Sequence, residues 1–465
     1  MSTLTDDITI QTLRDSLVDK HNLHEPWTSG VISLSEPEKT LFYETEDGVP
    51  RSLKLGLNNQ DEVRNLSDVC QPATFGLNKE DVLDETYRKA GKLDGDRFAW
   101  RFNPSDKSNF ANQLAAALFP WETLNSGIRF EPYKLNVYGQ GSFFKTHKDT
   151  PRDENMFASL VIVLPFKHEG GELLLRHRGR ELVFNGQALI DDAPAASVAY
   201  VAFFSDVEHE VARVSSGYRV TVTYNLYFDP SRRAPSARIS NDSKLEHPFK
   251  TELRRVMEDA VIRDAHPVLG FGLEHAYPFE AAIHRMDALK LKGTDAVLIK
   301  VFKELGIHYD FFLLYREDEE DLYCPFRILT RNIIDGDESY NQDVVERIVD
   351  RGAWLVWQES PSEIIPDVPI VFGEFRSIVT ARPSVPSLEV EWVTEPNEEH
   401  VDGSPMLIYG NEVSIGSQYH QLCVIARFFP LSLEINLIET LSSLSSCINM
   451  GNGYFMGPRR VKLVR

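Results

Sequence analysis

The chain has 465 residues, 42% of them apolar and 26% charged, with a formal net charge of −21; these are the figures of a folded chain of about two or three domains. Such acidity argues against a surface that tracks phosphate backbones or anionic lipid, and no apolar run reaches the ~18 residues of a membrane span. The opening MSTLTDDITIQTLRDSL is acidic where a secretion signal needs an apolar core, and Cys70, Cys324, Cys423 and Cys447 stand far apart with no CxxC pair. A reducing compartment, cytoplasm or nucleus, is therefore expected.

In chain order, residues 1–120 mix short apolar stretches with helical segments. NKEDVLDETYRKAGKL predicts a helix with Asn78 as N-cap and Glu80 and Asp81 in its first turn. SNFANQLAAALFP predicts another, rich in Ala and Leu and stopped by Pro120. From residue 128 the character changes. IRFEPYKLNVYG, FASLVIVLPF, GELLLRHRG, VAYVAFFSD, HEVARVSS and YRVTVTYNLYF are short runs rich in β-branched and aromatic residues, most of them separated by Gly, Ser, Asp or Pro. Strands at this spacing predict a sandwich or closed barrel.

DPSRRAPSARISNDS, residues 229–243, has no apolar periodicity and reads as a linker. Beyond it, FKTELRRVMEDAVI and TDAVLIKVFKELG carry apolar residues at helical spacing, the second with Thr294 as N-cap and Gly306 at its stop. IVFGEF and LCVIARFF read as strands, so the C-terminal half is a second α+β unit. Arg459, Arg460, Lys462 and Arg465 form the one basic cluster, most simply a solvated terminus.

FFKTHKDTP places His147 and Asp149 two apart, and on a strand such side chains share one face. A His-x-Asp pair occurs about once by chance in a chain of this composition, and a second one, His308 and Asp310, is present. His209 in SDVEHEVARV follows 62 residues after His147. On a strand it faces inward with Val207 and Val211, and alone it is an ordinary core histidine. Arg219 comes ten residues later and opens a polar face with Thr221, Thr223 and Asn225. A buried guanidinium is costly unless it meets an anion. Two imidazoles and one carboxylate leave coordination positions open, which suits non-haem Fe(II) and O₂ chemistry. The guanidinium matches a carboxylate bidentately.

With H-x-D at His147 and Asp149, His209, Arg219, GGEL at 170–173 and AFFSDVEHEV leading into SSGYRVTVTYNLY, the sequence resembles the 2-oxoglutarate- and Fe(II)-dependent oxygenases, in their prolyl 4-hydroxylase-like branch. The resemblance covers roughly 130–228. It implies an α+β protein with a double-stranded β-helix (jelly-roll) core at 121–228. Around that core we expect a mixed helical region at 1–120 packing on it, a linker at 229–246 and an α+β C-terminal domain at 247–465. It implies that His147, Asp149 and His209 bind iron and that Arg219 grips the distal carboxylate of 2-oxoglutarate. The strand after H-x-D reads SLVIVLP, without the Tyr that many prolyl hydroxylases use there, which leaves Tyr138 and Thr221 as candidates for the second carboxylate contact. The implied cofactors are Fe(II) and 2-oxoglutarate, with ascorbate as an accessory reductant. The implied reaction consumes O₂, yields succinate and CO₂, and hydroxylates a protein, peptide or small molecule; no nucleic acid or membrane partner is expected.

A small-molecule hydroxylase of the same superfamily would share every motif, and a cupin-like metal-binding protein would share the His and carboxylate but has no need of Arg219. His308 and Asp310 have no following His until His400, and position 410 is Gly, so that pair reads as structural. His168 and His177 flank the GGEL strand, with His177 at the surface or the mouth of the site. His275 and the stretch YGNEVS (409–414) read as core or interface elements of the C-terminal domain.

Overall fold

The structure, a computed structural model, describes residues 10–17, 25–56, 59–77, 80–107, 109–119, 127–149, 152, 155–193, 196–229, 231, 247–265, 268–278, 291–315, 326–330, 354–357, 387–388, 390–396 and 419–428. Most of the linker, IVFGEF, YGNEVS, His400, Cys324, Cys447 and the basic C-terminal cluster lie outside the described residues. Among the described residues no helix is long and apolar enough to cross a membrane.

Two larger antiparallel sheets form the body of the first unit, with three smaller ones beside them. The larger orders its strands β1 (Trp27–Ser33), β10 (Ser197–Phe204), β7 (Met156–Val163), β12 (Arg219–Asp229), β5 (Gly127–Tyr138), β4 (Gly91–Asp94) and β2 (Gln71–Pro72). The lesser of these two runs β9 (Arg180–Phe184), β8 (Leu173–His177), β11 (Glu208–Val211), β6 (Phe143–His147) and β3 (Arg88–Lys89). Position in the sheet explains the sequence patterns. Every residue of β10 is buried, and it reads as one apolar run because both faces are covered. At the sheet edge, β1 after Trp27 alternates partly buried and exposed residues. The two inner faces share one core, from Trp27 and Leu41 to Tyr224 and Phe228.

The N-terminal region departs from its expected helical character. Helices are present at α2 (Gln60–Asp68) and α3 (Phe110–Leu118). The second is the one expected from its Ala and Leu content, and it buries Phe110, Leu114 and Leu118 on one face. Of NKEDVLDETYRKAGKL, the described residues 80–93 are not helical. They supply one strand of a hairpin at Glu80–Val82, then β3 and β4. β4 pairs with β5 from Lys134↔Asp94 to Val137↔Gly91, and β3 pairs with β6 at Phe143 and Phe144. Pairing to two sheets outweighs a modest local helix preference. Gly91 fits the strand closely, since a Cβ there would stand 2.7 Å from Cβ of Cys70.

The second unit has a seven-stranded sheet ordered β17 (Ser387–Leu388), β16 (Trp354–Trp357), β15 (Phe326–Thr330), β14 (His308–Tyr315), β19 (Tyr419–Arg427), β13 (Val268–Pro278) and β18 (Glu391–Thr394). Helices α4 (Pro248–Glu258) and α5 (Gly293–Leu305) contribute Phe249, Leu253, Val301 and Phe302 to its core. Helix α5 starts two residues earlier than expected, with Lys292 and not Thr294 at its N-cap. Gly306 ends it in the left-handed conformation at φ 66°. A helix at 10–17, α1, adds Ile10, Leu13 and Leu17 to this same core, and Arg14 Nη2 donates to the Trp392 carbonyl at 3.0 Å. The first described segment therefore packs into the core of the second unit.

Candidate active site

Strands β6 and β11 bring the two histidines together. His147 and His209 are directly opposite in the antiparallel register, with ring centroids 4.1 Å apart. Along β11 and the residue before it, Val207, His209 and Val211 are buried while Glu208 and Glu210 are partly exposed, as alternation on a strand requires. Asp149 follows β6, and its Oδ1 lies 3.7 Å from His209 Nε2. One ligand atom from each of His147, Asp149 and His209 lies within 4.8 Å of the others, and all three residues are buried. Lys148 turns outward to Glu208, at 3.5 Å.

Both imidazoles are aimed by the backbone. His147 Nδ1–H donates to the Lys145 carbonyl at 2.8 Å, and His209 Nδ1–H to the Val207 carbonyl at 3.0 Å. Each ring thus keeps its Nε2 lone pair for a metal. Burial, and then repulsion from His209, pushes the His147 pKa well below the ordinary imidazole value, so the ring stays in its ligating neutral form. Ser159 on β7 donates its hydroxyl to Asp149 Oδ2 and orients the carboxylate. Phe144 stacks on His147 at 3.5 Å, and Phe203 lies 4.7 Å from His209, so the ligand rings are walled by aromatic surface. This donor set, neutral and anionic, buried and preorganised, fits a divalent transition metal.

Arg219 opens β12 directly opposite Tyr138 on β5, and its guanidinium carbon lies 5.5 Å from the Tyr138 ring centre. It is 2% exposed, lines the same pocket as the three ligands, and pairs with no carboxylate among the described residues. Burial lowers its pKa, so an incoming anion would relieve an unfavourable charge. Tyr138 and Thr221 both line this pocket. The GGEL turn makes the room. Gly171 sits at φ +74°, and a Cβ there would stand 2.8 Å from Arg219 Cδ. His168 lies nearby, its pKa pushed down to about 4 by burial, with Arg219 adding repulsion.

Other features of the site were not apparent in the sequence. Ser159 is the lone hydroxyl in an apolar strand, a signal that could have been read. Arg88, from β3, donates to the Thr74 carbonyl at 2.6 Å and to Asn136 Oδ1 at 3.0 Å and lies 4.3 Å over the Phe144 ring. Lys134 is buried beside it, its pKa lowered to about 7 by burial and then by Lys92 and Arg88. Both line the pocket, and nothing local to either residue announces that role. His177 is neither a surface residue nor at the mouth of this pocket; it is buried in a second cluster with Asp206 and His275. His308 and Asp310 lie on β14 of the second unit and join no metal-ligand cluster among the described residues.

Residues 133–227 match the family model described as the 2OG-Fe(II) oxygenase superfamily, a span that contains His147, Asp149, His209 and Arg219. The chain is similar to a crystal structure of an oxidoreductase of the 2OG-Fe(II) oxygenase family from Burkholderia pseudomallei. The two are 19% identical over 37% of this chain and 82% of that one, with a TM-score of 0.24. It is similar to a prolyl-4-hydroxylase from Pseudomonas putida, at 18% identity over 46% of this chain and 98% of that one, with a TM-score of 0.24. A prolyl hydroxylase from Trichoplax adhaerens, solved with a peptide fragment of the hypoxia inducible factor oxygen degradation domain, is 15% identical over 50% of this chain and 95% of that one, with a TM-score of 0.27. No curated protein matches the chain. The oxygenase superfamily that the residue spacing pointed to is the one the family model finds.

Proposed function

We propose that the chain is an Fe(II)- and 2-oxoglutarate-dependent oxygenase that couples oxidative decarboxylation of 2-oxoglutarate to hydroxylation of a substrate C–H bond. His147, Asp149 and His209 hold the metal, and Arg219 holds the distal carboxylate with Tyr138 and Thr221 beside it. One observation carries this reading: three buried metal-ligating residues share a pocket with a buried guanidinium that pairs with no carboxylate among the described residues. The bound metal and cosubstrate supply the oxidising chemistry.

The chain's own residues supply geometry and seclusion. The Lys145 and Val207 carbonyls fix the imidazole tautomers, and Ser159 fixes the Asp149 carboxylate. Arg219 sets the direction in which the cosubstrate lies, because a planar fork accepts a carboxylate in few orientations. Val161, Leu173, Phe203 and Val211 line the pocket with apolar surface and limit water. The motifs shared with the prolyl 4-hydroxylase-like branch make a peptidyl prolyl residue the first substrate to test.

The test incubates full-length protein with Fe(II), 2-oxoglutarate and a proline-containing peptide library, and measures succinate and any product heavier by one oxygen atom. His147→Ala and Asp149→Ala should abolish turnover, while His308→Ala should leave it intact. A protein that neither binds 2-oxoglutarate nor forms succinate refutes the reading.

A further inference from the structure

A second buried cluster lies where the second unit meets the jelly-roll. Asp206 sits in the turn between β10 and β11, three residues before His209, and is 3% exposed. Its carboxylate accepts from Lys292 Nζ at 2.8 Å, from His275 Nδ1 at 3.0 Å and from the backbone N–H of Ala276 at 3.0 Å. All three donors come from the second unit: His275 and Ala276 from β13, Lys292 from the N-cap of α5. His177, at the end of β8, stacks on the His275 ring at 4.7 Å.

His177, Asp206 and His275 are metal-ligating residue types in close array. The Lys292 ammonium, however, already stands on Asp206 as its counter-ion, so this cluster carries its own cation. Burial pushes the Asp206 carboxyl up, but Lys292 and then His275 outweigh it and hold the group well below the ordinary carboxylate range. The second unit's side of the contact is itself braced. Asp295 accepts from the backbone N–H groups of Glu274 at 2.7 Å and His275 at 2.9 Å, and from the Tyr277 hydroxyl at 2.8 Å. Gly293 begins α5 at φ +46°, and a Cβ there would crowd the ring at 3.0 Å from His275 Nε2.

The jelly-roll side of the contact leads straight to the metal site. The Ser205 N–H donates to the Phe157 carbonyl at 3.1 Å and the Val207 N–H to the Phe204 carbonyl at 3.0 Å, which makes 205–207 a tight turn. The Val207 carbonyl then accepts from His209 Nδ1 at 3.0 Å. Whatever fixes this turn fixes the acceptor that sets the tautomer and direction of the His209 ring. We propose that the second unit is a positioning element of the metal site: Lys292, His275 and Ala276 pin Asp206, and the pinned turn presents the Val207 carbonyl that aims His209. The inference rests on the metal-site reading above. It gives the second unit a part in the reaction without contact to substrate.

The test uses the full-length chain and Co(II) as probe, because the visible absorption of bound Co(II) reports its coordination geometry. Lys292→Met and Asp206→Asn should each weaken Co(II) binding about tenfold or more, as loss of outer-shell support does at other metal sites, and should alter the visible spectrum. Leu253→Ala, in the second unit's core and not among the partners of Asp206, should lower the melting temperature and leave affinity and spectrum unchanged. If Lys292→Met fails to fold, the double variant Lys292→Met/Asp206→Asn, which removes both buried charges together, takes its place. Wild-type affinity and spectrum in the folded variants would overturn the inference, as would an equal loss in Leu253→Ala. A wild-type protein that binds no Co(II), or a His147→Ala variant that binds it equally well, would instead refute the metal-site reading itself.

Discussion

Replacing Gly171 by Ala tests how closely the Arg219 guanidinium is held in place. At φ +74° the residue occupies left-handed backbone, which costs an L-residue about 1–2 kcal/mol. The added Cβ would also stand 2.8 Å from Arg219 Cδ and 2.9 Å from Val214 Cγ2, closer than real carbon contacts. Val214 is fully buried and cannot give way freely, so the arginine stem must move. A hydrogen bond to a charged group contributes about 1.5–3 kcal/mol and 1.4 kcal/mol is tenfold in affinity, so a displaced fork should raise the KM for 2-oxoglutarate about 10- to 100-fold. The metal ligands stand on other strands, and Co(II) affinity should not change. The assay is the initial rate of succinate formation against 2-oxoglutarate concentration, with a Co(II) titration on the same preparation. An unchanged KM in folded protein would refute the role given to Arg219. A parallel loss of Co(II) affinity would show that the substitution acts by loosening the whole barrel.

Arg219→Met removes a buried cation that has no carboxylate partner in the described chain; apoprotein stability should hold or rise while 2-oxoglutarate binding is lost, and urea unfolding beside a ligand titration separates the two effects. A less stable apoprotein would reveal a structural partner for the guanidinium. Ser159→Ala deprives Asp149 of its hydroxyl donor and should weaken Co(II) binding about 10- to 100-fold; wild-type affinity would remove Ser159 from the site. Burial lowers the pKa of His168 to about 4 and that of His177 well below the ordinary value, so both are neutral in the folded state. Below pH ~6.5 the unfolded chain takes up protons that the native state refuses, and stability falls; His168 alone should account for up to ~3 kcal/mol by pH 4. Urea unfolding at a series of pH values from 7 downward checks this, and a flat profile across that range contradicts it.

Much of the jelly-roll was legible because its strands are long, strongly patterned and bounded by turn residues. β5, β7, β10 and β12 each lie on a run that alternation or continuous apolarity had marked. The failures fall where local preference and tertiary pairing disagree. The stretch from Asn78 to Leu93 carries an N-cap and early acids, yet its Arg88 and Gly91 are drawn into two different sheets. Helix α1 could not be assigned to the second unit from its own residues, because Leu13 and Leu17 would suit any apolar surface. His177 was legible only as a histidine beside a glycine turn; its stacking on His275 depends on a strand almost a hundred residues away.

The sequence by itself determined the donor types, the alternation that turns His209 inward and Glu208 outward, and the offset that puts Arg219 at the head of a strand. These are local properties, set by the two-residue repeat of an extended chain and by the chemistry of each side chain. Only the tertiary structure decided which His-x-Asp pair meets another histidine. His147 gains its partner because β6 lies against β11 in one register, while the equivalent pair at His308 lies on a strand of the second unit. It also decided that Asp206 is neutralised by a lysine 86 residues away, across the boundary between the two units. Contacts of that span arise from how sheets and helices pack as wholes, so no residue's immediate neighbours encode them.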